Sequence, residues 1–200
     1  MPLIPSLPPT QLSMALLLGA ACAMAYGVAY GNETAQISRI DPDSGAETWE
    51  TQAHGVALRL TQLLPDQVRA FYLSRGFPAG AVEPYATACV FMTVLRNDAA
   101  PGELNYRLAD WEVRGGGPSG APTPTEAWMA RWQRMGLAEP ARIAFRWAQF
   151  PTEQEYAPGE WNQGMLAVGQ PPGATFDLIA RWNVAGKTYE GTLKNARCAR

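Results

Sequence analysis

Histidine occurs once in this chain of 200 residues, at His54, and that scarcity removes most familiar catalytic arrangements. A Ser-His-Asp or Cys-His site would have to be built on His54. That residue directly precedes the first predicted strand of the domain, where a solvated side chain is the simpler reading. Charge is also scarce: only 17% of residues are charged, and 16 basic against 18 acidic side chains leave a net charge of −2. No broad electrostatic footprint therefore points to nucleic acid or to an anionic membrane surface. With three cysteines there is no zinc-spaced set. No phosphate loop, dinucleotide fingerprint or calcium loop is present either. Gly115-Gly116-Gly117 is followed by proline and small residues, not by a lysine-bearing helix, and reads as loop.

The chain does contain 19 glycines, 17 prolines and 7 tryptophans, a composition of turn-rich β proteins more than of helical bundles. It also contains an uncharged apolar run from Gln11 to Gly31, about the length that crosses a bilayer as a helix. Three readings of this run stand: an uncleaved anchor, a signal peptide cleaved after the small residues Ala21 and Ala23, or a lipid-modified Cys22. The first ten residues lack Lys and Arg, and the run exceeds the usual signal core, which favours the anchor. The following stretch carries Glu33, Asp41, Asp43, Glu47 and Glu50 against a lone Arg39. Nothing basic there holds it in the cytoplasm. The globular part is expected on the periplasmic side, anchored in the inner membrane by the N-terminal helix.

The predicted organisation is a signal-anchor or signal peptide over 1–31, a polar tether over 32–53 with the turn cluster Asp41-Pro42-Asp43-Ser44-Gly45, and one domain over 54–200. Val56 to Thr61 alternates as a half-buried strand. Pro65 to Gly76 reads as a short amphipathic helix, and Pro78 opens a further turn ending before Pro84. Ala88 to Leu95 is apolar on both parities and β-branched, as a central strand would be. Leu104, Tyr106 and Leu108 share a face, and a bulge near Ala109-Asp110 reconciles them with Trp111 and Val113. The Gly115–Pro124 segment is a separating loop, after which Thr125 caps a helix bearing Trp128, Trp132 and Met135. Ala141 to Phe150 alternates as an amphipathic strand, and the stretch around Pro158-Gly159-Glu160-Trp161 is irregular. Phe176 to Val184 alternates again, Ala185-Gly186 turns the chain, and a C-terminal hairpin ends near Cys198. The expected fold is mainly β, an antiparallel β-sandwich with short helical insertions. In architecture it resembles the immunoglobulin-type sandwich.

Cys22 falls in the apolar run, so Cys89 and Cys198 are the two cysteines of the domain. They form either a disulfide, favoured in an oxidising compartment, or two independent buried thiols. Trp128, Met129, Trp132 and Met135 form either a lid over the sandwich or a docking face, and Trp161 supplies a second candidate contact. Glu153, Glu155 and Glu160 near Trp161 could serve sugar cleavage if suitably spaced, although a solvated acidic loop explains them as well. Soft-metal binding has weak candidates in Cys89 and Met92, with Met129, Met135, Met165 and Cys198 as further sulfur donors for Cu(I). An anchor followed by such a domain resembles proteins that insert copper into respiratory oxidases. The closely spaced cysteine pair that resemblance implies is missing, and residues 89 and 92 point to opposite faces of a regular strand. The sequence thus favours a non-enzymatic binding or assembly module for other envelope proteins, with no cofactor. Copper handling is the alternative.

Overall fold

Strand formation follows the apolar alternation through most of the chain, and the places where another periodicity wins determine the architecture. The structure is a computed structural model that describes residues 33–200. The expected membrane segment over 11–31 lies outside the described residues. Among those described, no helix is long and apolar enough to cross a membrane.

The domain starts earlier than its sequence suggests. Strands β1 (Glu33–Ile40) and β2 (Glu47–Ala53) occupy the expected tether and pair antiparallel. In β2, Trp49, Thr51 and Ala53 are buried on one face while Thr48, Glu50 and Gln52 occupy the other; the polar outer face disguised the strand. His54-Gly55 is a two-residue hairpin turn, with both φ angles positive at 52° and 80°, leading into β3 (Val56–Gln62). A Cβ at Gly55 would strike the backbone of Ala99 and Ala100, so close approach as well as φ demands glycine there.

Helices α1 (Pro65–Leu73) and α2 (Ala79–Ala86) follow, the second running through Pro84 instead of stopping before it. The apolar run becomes β4 (Val90–Asn97). Short strands β5 (Leu104–Arg107) and β6 (Glu112–Arg114) flank a 3-10 turn at Leu108–Asp110, where the sequence suggested a bulge. The glycine-rich loop folds back, since Gly120 pairs with Val113 and Gln170 donates to the Pro118 carbonyl.

Helix α3 (Thr125–Arg134) forms where expected, but with Pro124 at the cap position and Thr125 as its first residue instead of its cap, whereas Ala141 to Ala148 belongs to a second helix, α4 (Glu139–Ala148), not to a strand. Both periods fit that sequence. The helix wins because Pro140 suits the first turn, and Ala141, Phe145 and Ala148 form a buried stripe three and four residues apart. The stretch read as irregular supplies β7 (Glu153–Tyr156) and β8 (Trp161–Ala167). The chain closes with β9 (Thr175–Val184) and β10 (Lys187–Arg197), joined by Ala185-Gly186 as predicted.

The strands form two antiparallel sheets. One has the order β1-β2-β3-β4-β8, the other β10-β9-β5-β7 with β6 also on β9. The first is a four-strand meander completed by β8. That order departs from the immunoglobulin arrangement, in which consecutive strands are divided between the sheets. One buried cluster takes residues from both sheets, among them Trp49, Leu58, Phe91, Trp111, Phe176 and Trp182. A second lies between the other face of the first sheet, at Val90, Met165 and Ala167, and all four helices. At the β1 and β10 edges, side-chain amides bridge the two sheets: Gln36 exchanges two hydrogen bonds with the Lys194 backbone at 2.8 and 2.6 Å, and Gln62 accepts from Glu47 N–H while donating to the Arg197 carbonyl.

Candidate tryptophan-walled cleft

At the opposite edges β8 ends the first sheet and β7 ends the second. The chain leaving α4 crosses β8 here. Gln149 bridges Met165, and Phe150 N–H donates to the Met165 carbonyl at 2.9 Å. The crossing depends on Gly164, whose missing Cβ would collide with the Gln149–Phe150 backbone. Beyond it, the first residues of β8 have β4 on one side and a cleft of about 520 Å³ on the other. Its floor is Phe150 and Pro151, its polar lining includes Gln154, Asn162 and Gln163, and Trp147 stands on its wall.

Trp147 is 84% exposed and Trp161 55% exposed, the two most solvent-accessible tryptophans among the described residues. Trp161 lies two residues before Gln163 and so projects from the same face of β8 as that cleft residue. The floor is rigidly held. The Gln149 amide donates to Tyr72 Oη at 2.9 Å and to the Phe145 carbonyl at 3.2 Å, and accepts from Tyr85 Oη at 2.7 Å. Tyr72 in turn donates to Met165 Sδ. Burial is the main cause that pushes both phenols above the ordinary tyrosine range, so they are neutral structural donors at physiological pH.

Of the residues singled out in the sequence, Cys89 and Cys198 come together at disulfide-bonding distance, with Cα atoms 5.1 Å apart, and both are buried in the cluster between the sheets. Met92 lies on the other face of β4, against the helical cluster. Cys89 and Met92 therefore do not share a site. Met92 instead stands directly opposite Met165 on β8, and both line a second cavity of about 460 Å³ beside α1. No group of three or more His, Cys, Asp or Glu side chains able to hold a metal is present among the described residues.

On α3 the stripe is a lid in its greater part. Trp132 is fully buried, Trp128 stacks on it at 5.5 Å, and Tyr85, Phe77 and Phe145 meet these two rings edge-on. Met129 packs half-buried, and only Met135 is exposed. Glu153 and Glu155 face outward from β7 and Glu160 accepts from the Ala157 N–H in the next turn, while Trp161 belongs to the other sheet. His54 packs on Tyr189 with ring centroids 4.6 Å apart.

Sequence reasoning missed Trp147. Reading 139–148 as a helix would have found it, because the stripe through Ala141, Phe145 and Ala148 leaves Ile143 and Trp147 together on the opposite, wet face. Comparison of the chain with models of protein families, with curated proteins and with solved structures returns no match.

Proposed function

We propose that this chain is a membrane-tethered or secreted extracytoplasmic module, a β-sandwich with a helical layer, that binds other envelope proteins without catalysing a reaction. The observation that carries the reading is exposed tryptophan at one cleft: Trp147, 84% exposed, lines it, and Trp161, 55% exposed, opens the strand whose next residues, Asn162 and Gln163, line it. Tryptophan is among the residue types most enriched in binding hot spots, and this cleft sets it beside amides and the charged Glu126, Arg146 and Glu153. The apolar run at 11–31 and the Cys89–Cys198 pair support the compartment, since disulfides persist outside the cytoplasm. Pull-down with the full chain from detergent-solubilised membranes tests it. A stable partner is expected with the native chain and is expected to be lost with Trp147→Ala/Trp161→Ala. Equal recovery by both chains would refute the cleft as the contact.

A second reading, copper handling, keeps one observation in its favour: the Met92 and Met165 thioethers face the same cavity from adjacent strands. Cu(I) titration under reducing conditions decides it. Binding weaker than about micromolar, worth roughly 8 kcal/mol, rejects the reading.

A further inference from the structure

Every ion pair among the described residues belongs to the sheets, their connections, or the α1–α2 pair. The arginines of the other two helices take no part in any of them. Arg131 and Arg134 on α3 and Arg142 and Arg146 on α4 have no carboxylate partner, and Arg131 meets only the Trp128 ring, at 5.7 Å. Four arginines against Glu126 and Glu139 make this helix pair positive within a chain whose total is −2. Arg131, Arg134 and Arg146 are exposed, and Arg142 is half-buried.

The same surface carries projecting apolar groups. Trp132, Ala141 and Phe145 pack inward against the first sheet, leaving Ile143 at 49% and Trp147 at 84% exposure on the outward side of α4. Ile143 and Trp147 are four apart on α4 and therefore adjacent. Unpaired arginine alternating with exposed indole and aliphatic side chains on a helical surface is the composition of an element that lies in a lipid interface. The cations meet phosphates and the apolar groups enter between headgroups. A purely acidic protein partner would match the arginines but give Ile143 and Trp147 no role. In the membrane-tethered form proposed above, the uncharged run at 11–31 holds the chain at a bilayer.

We infer that the outward face of α3 and α4 docks on an anionic phospholipid surface, with Trp147 and Ile143 at headgroup depth. The inference rests on the arginines, their apolar neighbours and the membrane-tethered part of the proposed function; it shares Trp147 and Arg146 with the cleft but makes no use of Trp161.

The test uses the full chain reconstituted in phosphatidylcholine vesicles with brominated acyl chains, with and without phosphatidylglycerol. Tryptophan quenching is expected only when phosphatidylglycerol is present. Trp147→Phe should abolish it and Trp161→Phe should leave it. Replacing Arg131, Arg134 and Arg146 by Gln is expected to weaken attachment on the order of 100-fold, returning quenching to the phosphatidylcholine level. Quenching indifferent to phosphatidylglycerol, or surviving Trp147→Phe, overturns the inference. So does an arginine variant that keeps full quenching but loses a cross-linked acidic protein, which would make the face a protein contact. A failed cleft reading shows up separately, as partner capture unaffected by Trp161→Ala.

Discussion

Reducing the Cys89–Cys198 pair should cost the domain more stability than any other single chemical change. The two residues are separated by 109 positions, and each directly adjoins a strand: Cys89 precedes β4 in the first sheet and Cys198 follows β10 in the second. A cross-link of that span removes loop-closure entropy from the unfolded chain worth about 5 kcal/mol. Single domains are stable by only roughly 5–15 kcal/mol in total, so the loss is a large share of what holds this one folded. The penalty falls on the unfolded ensemble. The folded chain should therefore keep its tryptophan environment and strand content while its urea midpoint drops by roughly 2.5 M, for a slope of about 2 kcal/mol per M. The assay is equilibrium urea unfolding of a Cys22→Ser chain with and without reductant, each sample checked for thiol content by mass after alkylation. An unchanged midpoint in a sample shown to be reduced would refute the entropic argument. Two alkylatable thiols before reduction would refute the bridge itself. Cys89→Ala/Cys198→Ala should lose somewhat more than reduction, because it also removes two buried sulfurs from the cluster between the sheets.

Two further perturbations probe backbone and burial. Ala185 has φ 49° at the first position of the β9–β10 turn, a left-handed conformation that costs an L-residue about 1–2 kcal/mol, partly offset by the greater freedom glycine loses on folding. Ala185→Gly should raise stability by about 0.5–1 kcal/mol and the melting temperature by roughly 2 °C; a fall in calorimetry would contradict the turn. Tyr72, Tyr85, Tyr106 and Tyr156 all have phenols held above the ordinary value of 10.0, burial being the largest cause in each. Above that pH the unfolded chain releases protons that the folded chain keeps, so stability is intact below about pH 10 and falls as pH rises beyond it. Tyrosinate absorbance from these residues should appear together with loss of strand signal, and ionisation near pH 10 in a chain that stays folded would refute their burial.

The fold was legible where one period is unambiguous. The run Phe176 to Val184 alternates without conflict, and β9 follows it; Val90 to Leu95 is apolar on both parities because both faces of β4 are covered, one by the second sheet and one by the helices. Legibility failed where burial is asymmetric or shared. In β2 a polar outer face made Thr48, Glu50 and Gln52 look like tether. In α4 the inward stripe depends on two alanines, whose small side chains carry little periodic signal, while the larger Ile143 and Trp147 mimic the dry face of a strand from the solvent side. Misreading that helix concealed the cleft as well, since its wall is Trp147 and its floor begins where α4 ends.

The surface electrostatics show the same limit in sharper form. A net charge of −2 correctly describes the whole chain yet says nothing of distribution. Charge in the sheets is self-neutralising: Arg181 reaches Glu112 and Glu190, Arg96 reaches Glu50 and Asp98, and Arg197 reaches Glu47. Such pairs add little to stability when exposed, but they cancel the field of both partners. The arginines of α3 and α4 are among the cations that no such pair neutralises, as are Arg59, Lys187 and Lys194 in the sheets. A formal sum cannot distinguish that arrangement from an even one, because the pairing depends on strand register: Glu50 lies directly across from Arg59 and within reach of Arg96 only once β2, β3 and β4 are aligned. The register that builds the hydrophobic core thus also decides which charges are paired and which remain free, a distribution that composition alone does not carry.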